Sequence, residues 1–535
     1  MNSIMQVKKK NRLKSRETGG LLLLMAAASF LLACDKLKVP GDDGQPGNKI
    51  VITIDPAAEM QTIHSFGASD CWTAKFVGKW QDEEKKNYIA DLLFSLDTLA
   101  DGSPKGIGLS LWRFNIGSGS FEQGTSSNIA DEWRREECFL NEQGSYNWNK
   151  QQGQQWFLRA AKARGVKNRV GFSLTPPVFM AKNGKSYNSS EQPYLNILPG
   201  KTGDYADFLV NVTRHFGFDY LSPVNEPQWQ WGKASGASQE GTQATNAEIA
   251  GLAKALDARM QGSSSKVIIG EAGQWNFLYE KNEDGRGNQV YEFFSPASPL
   301  YIGNLKQVAP VITGHSYFTT CPDRDMIQVR NNVQAAIKKV DPSLAVWQTE
   351  FGILGNICNQ FKGAPRNTGI DYGLYVAKVV HHDLAVANMS SWQWWLAISP
   401  YDYSDALVYI NALSGKIDPA ACKEDGLVSP SKQLWVLGNF SRFVRPGMKR
   451  IGAAVSGQPV LGLWVSAYKE AATKKTVLVI INTQDKEQVL QLKGLEGAID
   501  IYTTDHSRDL KRSVGKPGEI KVPSKAVLTI VGSYQ

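Results

Sequence analysis

Leu221-Ser222-Pro223-Val224-Asn225-Glu226-Pro227-Gln228-Trp229 is the stretch that decides the fold. A short apolar run from Phe218 to Val224 ends abruptly in an amide, a carboxylate, a proline and an aromatic ring. That is how a strand covered on both faces reads when its last side chains emerge into a site. Pro227 has no N–H for a ladder, so the strand is expected to stop near Glu226. A carboxylate at that point, followed by Trp229 and Trp231, suggests a proton donor beside a surface on which a sugar can stack. By itself the motif fits a satisfied acid before a turn equally well.

A second stretch of the same kind breaks the tie. Leu344-Ala345-Val346-Trp347-Gln348-Thr349-Glu350-Phe351-Gly352 is again a short apolar run that ends in a glutamate and a turn glycine. Two carboxylates at two strand ends of one sheet are what glycoside hydrolysis uses, one as acid then base and the other as nucleophile.

Outward from these two strands, strand-like and helix-like segments alternate, which argues for βα units and a parallel sheet. The other strand candidates are Ile63–Ser69, Leu109–Asn115, Val170–Leu174, Val267–Glu271, Val311–Tyr317 and Met389–Trp395. The Glu226 strand is then fourth and the Glu350 strand seventh of eight. Helical periodicity fills the gaps at Asp82–Leu96, Gln154–Arg164, Tyr205–His215, Ala247–Met260, Met326–Val340 and Gly369–Val386. Eight such units close most naturally as a (β/α)8 TIM barrel, whose chemistry sits at the C-terminal strand ends. A last helix, Lys432 to Phe443, stops at Arg445-Pro446-Gly447. Beyond it come strands at Val460–Ala467, Thr476–Asn482, Gln488–Leu492, Ile499–Thr503 and Ala526–Val531, which predict a side-packed C-terminal β-sandwich. The strand at Ile50–Ile54 is expected to join it. The domain expectation is a leader over 1–33, a Pro- and Gly-rich tether over 34–48, a strand segment over 49–62, the barrel over 63–444 and the β-module over 445–535.

Composition bounds the rest. The 535 residues hold ample core-forming material, and 42% hydrophobic with 21% charged is ordinary for a globular chain. The formal charge of +8 misleads, because six of the 59 basic residues and one of the 51 acidic ones fall in the leader, leaving about +3. No nucleic-acid footprint follows. The leader has a basic start and an apolar run, Leu21 to Leu32, too short to span a bilayer. Leu31-Leu32-Ala33-Cys34 resembles a bacterial lipobox, which implies a lipidated Cys34 and a chain exported and anchored to a bacterial, outer, membrane. The five remaining cysteines fit no zinc motif, and one or two disulfides between loops are open. There is no Gly-rich phosphate loop, no His-x-x-x-His pair and no Gly-x-Ser-x-Gly elbow, so no cofactor is expected.

Phe66-Gly67-Ala68-Ser69, Arg113-Phe114-Asn115-Ile116-Gly117, Ser222–Pro227, Gln348–Gly352 and Phe440–Gly447 together resemble glycoside hydrolase family 30 from about residue 50 to the end. The resemblance implies Glu226 as acid/base and Glu350 as nucleophile, with Asn225 hydrogen-bonding the sugar 2-hydroxyl. Arg113 could fix the nucleophile or form a structural salt bridge. His315 and Tyr317, two apart on strand six, share a face, so Tyr317 could touch Glu350. At least one of Trp392, Gln393, Trp394 and Trp395 is expected as a sugar platform, and Trp72, Trp229 and Trp231 could line subsites or fill the core. Within the family the chain is similar to endo-β-1,6-galactanases. That implies a monomer acting on β-1,6-galactan side chains of arabinogalactan, with a β-1,6-glucanase, a xylanase or exo-acting enzyme, or a non-catalytic glycan-binding lipoprotein as alternatives.

Overall fold

The computed structural model describes residues 50–188, 194–456 and 461–534. The leader, the tether and Cys34 lie outside the described residues. Among those described, no helix is long and apolar enough to cross a membrane.

Eight parallel strands form a closed barrel: Ser65–Ser69, Leu111–Ile116, Asn168–Ser173, Tyr220–Ser222, Lys266–Ala272, Val308–His315, Ala345–Phe351 and Ser391–Ser399. Each pairs with its neighbours in that order, and strand seven pairs with strand eight through Trp347 and Ser391 to close the ring. Side chains of most strands are buried on both faces, and all nine residues of strand eight are buried, which is why these segments read as continuous apolar runs rather than alternating ones. Strand four is shorter than its apolar run. Its ladder ends at Ser222, because Pro223, not Pro227, is the first residue without an N–H to donate.

The expected helices form, with ends set by local chemistry. Glu83–Phe94 is capped by Asp82, whose side chain accepts from the Lys85 N–H, and two glutamates occupy its first turn, where the helix dipole favours anions. Asn246–Arg259 begins with a reciprocal capping box between Thr245 and Glu248.

Ile50–Thr62 lies inside a nine-stranded sheet, antiparallel to Lys449–Ser456 and parallel to Gln488–Lys493. The C-terminal module is therefore built from both ends of the described chain. Alternation divides its two faces. Val477, Val479 and Ile481 join the barrel's core, while Leu478 and Ile480 join a second core with Ile52, Leu490, Ile520 and Ile530. The helix Lys432–Ser441 seats the module: buried Asn439 donates from Nδ2 to Thr529 Oγ1 at 2.9 Å, and Thr529 Oγ1 donates back to the Asn439 carbonyl at 2.6 Å.

Cys321 and Cys358 form a disulfide that ties the loop after strand six to the loop after strand seven. Cys71, Cys138 and Cys422 are free and buried.

Candidate active site

The C-terminal strand ends converge on one hydrogen-bonded cluster. Arg113, facing inward from strand two, lies 3.6 Å above the centre of the Phe172 ring. Its Nη1 donates to Glu350 Oε2 at 2.7 Å, and its Nη2 donates to Asn225 Oδ1 at 2.7 Å and to Glu271 Oε2 at 2.8 Å. Arg113 therefore does hold the Glu350 carboxylate, as one arm of a fork that also fixes two other side chains. His315 bridges the other half, with Nδ1 2.8 Å from Glu226 Oε1 and Nε2 3.1 Å from Glu271 Oε2. Tyr317 donates its hydroxyl to Glu350 Oε1 at 3.1 Å. Asn225 has its oxygen committed to Arg113, which orients the amide N–H groups away from the guanidinium.

Charge balance decides where a proton resides. Two cations, Arg113 and His315, face three buried carboxylates, so a neutral cluster carries one proton on a glutamate. Glu271 accepts from Arg113 and His315, and Glu350 accepts from Arg113 and Tyr317, whereas Glu226 accepts from His315 alone. Glu226 is the least stabilised as an anion and is the proton's place. Burial, opposed by His315 and reinforced by the charge on Glu350, pushes its carboxyl up to about 7. Burial works against the charge on His315, but Glu350 and the bonds to Glu226 and Glu271 override it and raise the imidazole to about 10. A doubly protonated imidazole donates from both nitrogens, so Oε1 of Glu226 accepts and Oε2 is the oxygen left to hold the acidic proton.

Oxygens of Glu226 and Glu350 lie within 4.8 Å of each other and of a His315 nitrogen. These three side chains are the metal-ligating group that the described residues bring together, but an imidazolium has no lone pair to offer an ion.

Glu271 was not singled out from the sequence as a site residue. It is fully buried at the end of strand five, and its carbonyl accepts the Glu226 N–H at 2.9 Å. Both residues adopt positive φ, 46° and 44°, a conformation bulky residues rarely take and one that turns both carboxylates inward. The signal was present: Val267-Ile268-Ile269-Gly270-Glu271 is an apolar run ending in a glutamate, like the two strands that were recognised.

The tryptophans divide differently from expectation. Trp392 and Trp394 are completely buried, and their indole N–H groups donate to Asp383 Oδ2 at 2.8 Å and the Asp405 carbonyl at 2.7 Å. Trp392 reaches the helix Ile370–Ala385 outside the strands, and with both rings fully buried neither presents a face to a sugar. Trp72 and Trp395 meet edge to face at 5.2 Å and are nearly as buried. Trp229 and Trp231 are half-buried, and Trp229 follows Glu226 closely, its N–H donating to the Glu226 carbonyl at 3.1 Å.

A parallel barrel that gathers paired carboxylates at strands four and seven, one proton-bearing and one held by an arginine and a tyrosine, defines a barrel glycoside hydrolase. The comparisons with known proteins agree. Residues 49–409 match the O-Glycosyl hydrolase family 30, and the chain belongs to that family. An endo-β-1,6-galactanase from Hypocrea rufa is 27% identical over 210 residues, 36% of this chain and 42% of that protein. Glucuronoxylanase XynC from Bacillus subtilis is 30% identical over 170 residues, 31% of this chain and 33% of that protein. The chain thus spans less than half the length of these curated relatives. A crystal structure of a conserved exported protein from Bacteroides fragilis superposes with a TM-score of 0.83 at 31% identity, covering 90% of this chain and all of that one.

Proposed function

We propose that this glycoside hydrolase cleaves β-1,6-linked galactan with retention of configuration, Glu226 serving as acid/base and Glu350 as nucleophile. The observation that carries the mechanism is the close approach of two carboxylates in unequal surroundings. One oxygen of each lies within 4.8 Å of the other, and carboxyl groups close together, roughly 5–5.5 Å apart, are what a retaining mechanism needs.

In the first half-reaction Glu226 gives its proton to the leaving glycosidic oxygen while Glu350, oriented by Arg113 and Tyr317, attacks the anomeric carbon. As Glu226 becomes an anion, the adjacent imidazolium of His315 stabilises it. In the second half-reaction Glu226 takes a proton from a water whose oxygen bonds to the anomeric carbon, and the bond to Glu350 breaks, releasing the sugar. The Asn225 amide is placed to donate to the sugar 2-hydroxyl.

The galactan reading is supported by the likeness to the Hypocrea rufa enzyme; the likeness to XynC favours a xylan as the second reading. Incubating the protein with β-1,6-galactan, β-1,6-glucan and glucuronoxylan, beside Glu350→Gln, tests both. A ladder of β-1,6-galacto-oligosaccharides from wild type alone is expected. A ladder from another polymer replaces the substrate, and equal cleavage by Glu350→Gln removes the nucleophile.

We further propose export and anchoring through a lipidated Cys34, supported by the Leu31–Cys34 motif and by the exported Bacteroides fragilis protein of similar structure. Mass spectrometry of the mature N-terminus checks it, and an unmodified cysteine would refute it.

A further inference from the structure

We propose that Phe318 and Trp229 form the subsite for the sugar ring on the leaving-group side of the scissile bond, an inference that rests on the glycosidase reading above. Phe318 is 63% exposed and sits at φ 59°. A bulky side chain in the left-handed region carries backbone strain, and such strain clusters where function holds it. The neighbouring Tyr317 is anchored to Glu350, so the ring stands at the rim of the catalytic cluster. It meets half-buried Trp229 edge to face at 6.0 Å, and Trp229 meets Phe277 at 5.5 Å.

The Trp229 seat is itself built. A Cβ at Gly273 would lie 2.1 Å from the indole nitrogen, so only glycine at the end of strand five admits the ring. This aromatic wall rises from strands four to six, on the side of Glu226, where the proton is delivered and the leaving group departs. Unpaired polar atoms lie elsewhere, by strands one and two: Asp70 and Asn115 are buried, and Asp70 Oδ2 and both amide atoms of Asn115 have no protein partner among the described residues. Unpaired donors and acceptors suit the hydroxyls of the sugar being transferred. An aromatic wall suits the C–H face of the pyranose that leaves.

The test compares kcat/KM on the polymer cleaved among β-1,6-galactan, β-1,6-glucan and glucuronoxylan with kcat/KM on the β-disaccharyl fluoride of the same sugar, whose leaving group places nothing against Phe318. In Phe318→Ala the polymer-to-fluoride ratio is expected to fall about tenfold, and Phe318→Trp to restore it. The exposed ring packs little against the fold, so the melting temperature of Phe318→Ala should be unchanged. An unaltered ratio in Phe318→Ala, with wild type active, overturns the subsite alone. Absence of cleavage of all three polymers by wild type removes the polymer-cleaving reading proposed above, and the subsite with it.

Discussion

Glu226 and Glu350 differ less in their own chemistry than in the donors each receives, and that difference makes testable statements about single residues. With the Glu226 carboxyl raised to about 7, kcat/KM should decline as pH rises through about 7, when the acid loses its proton. Glu226→Gln should lose about 10²–10⁴-fold on the natural glycoside, the usual contribution of a general acid, and lose far less on a glycosyl fluoride, which needs no proton. The sign of the linked stability follows from the same shift. A carboxyl with a folded pKa above its unfolded value of 4.5 contributes stability below pH 4.5 that is lost as pH climbs towards 7. Glu226→Gln should therefore gain on wild type in thermal stability across that interval. Glu271 acts at one remove, through Arg113 and His315. Glu271→Gln should lower the titration of His315 from about 10, read from the imidazole nitrogen resonances; an unmoved titration would show that Glu271 does not support the imidazolium.

At the scale of elements, the barrel strands were legible because burial on both faces produces apolar runs with a polar residue only where a strand emerges. The same property hid the roles of the strand-eight tryptophans. In Ser391–Ser399 every residue is buried, so no alternation separates Trp392, which packs towards the helix layer, from Trp395, which meets Trp72. Lys449–Ser456, Lys511–Gly515 and Ile520–Val522 are hidden for the opposite reason: the first buries only Ile451 and is rich in Ala and Gly, the second is mostly polar and partly exposed, and the third has three residues. The Cys321–Cys358 pairing was beyond the sequence because the side-by-side pairing of strands six and seven, not the spacing of the cysteines, brings those loops together. Cross-linking residues 37 apart predicts that Cys321→Ser/Cys358→Ser loses about 2–4 kcal/mol, measurable by denaturant unfolding. Asn439→Ala, which strips the buried bonds between the last helix and the β-module, should cost about 1–3 kcal/mol by the same measurement.

As a whole molecule, the chain places its first described strand third from one edge of the C-terminal sheet before it enters the barrel, so the two cores close together. The barrel's strand order then carries residues from strands two, four, five, six and seven into one cluster that no local stretch contains. Arg113 and Glu350 lie 237 residues apart and meet at 2.7 Å. The central claim, double displacement by Glu226 and Glu350, is tested most directly by following the anomeric proton of the first-formed product by NMR during cleavage of the β-linked polymer. The β-anomer should appear first and mutarotate later. An α-anomer appearing first would contradict the account.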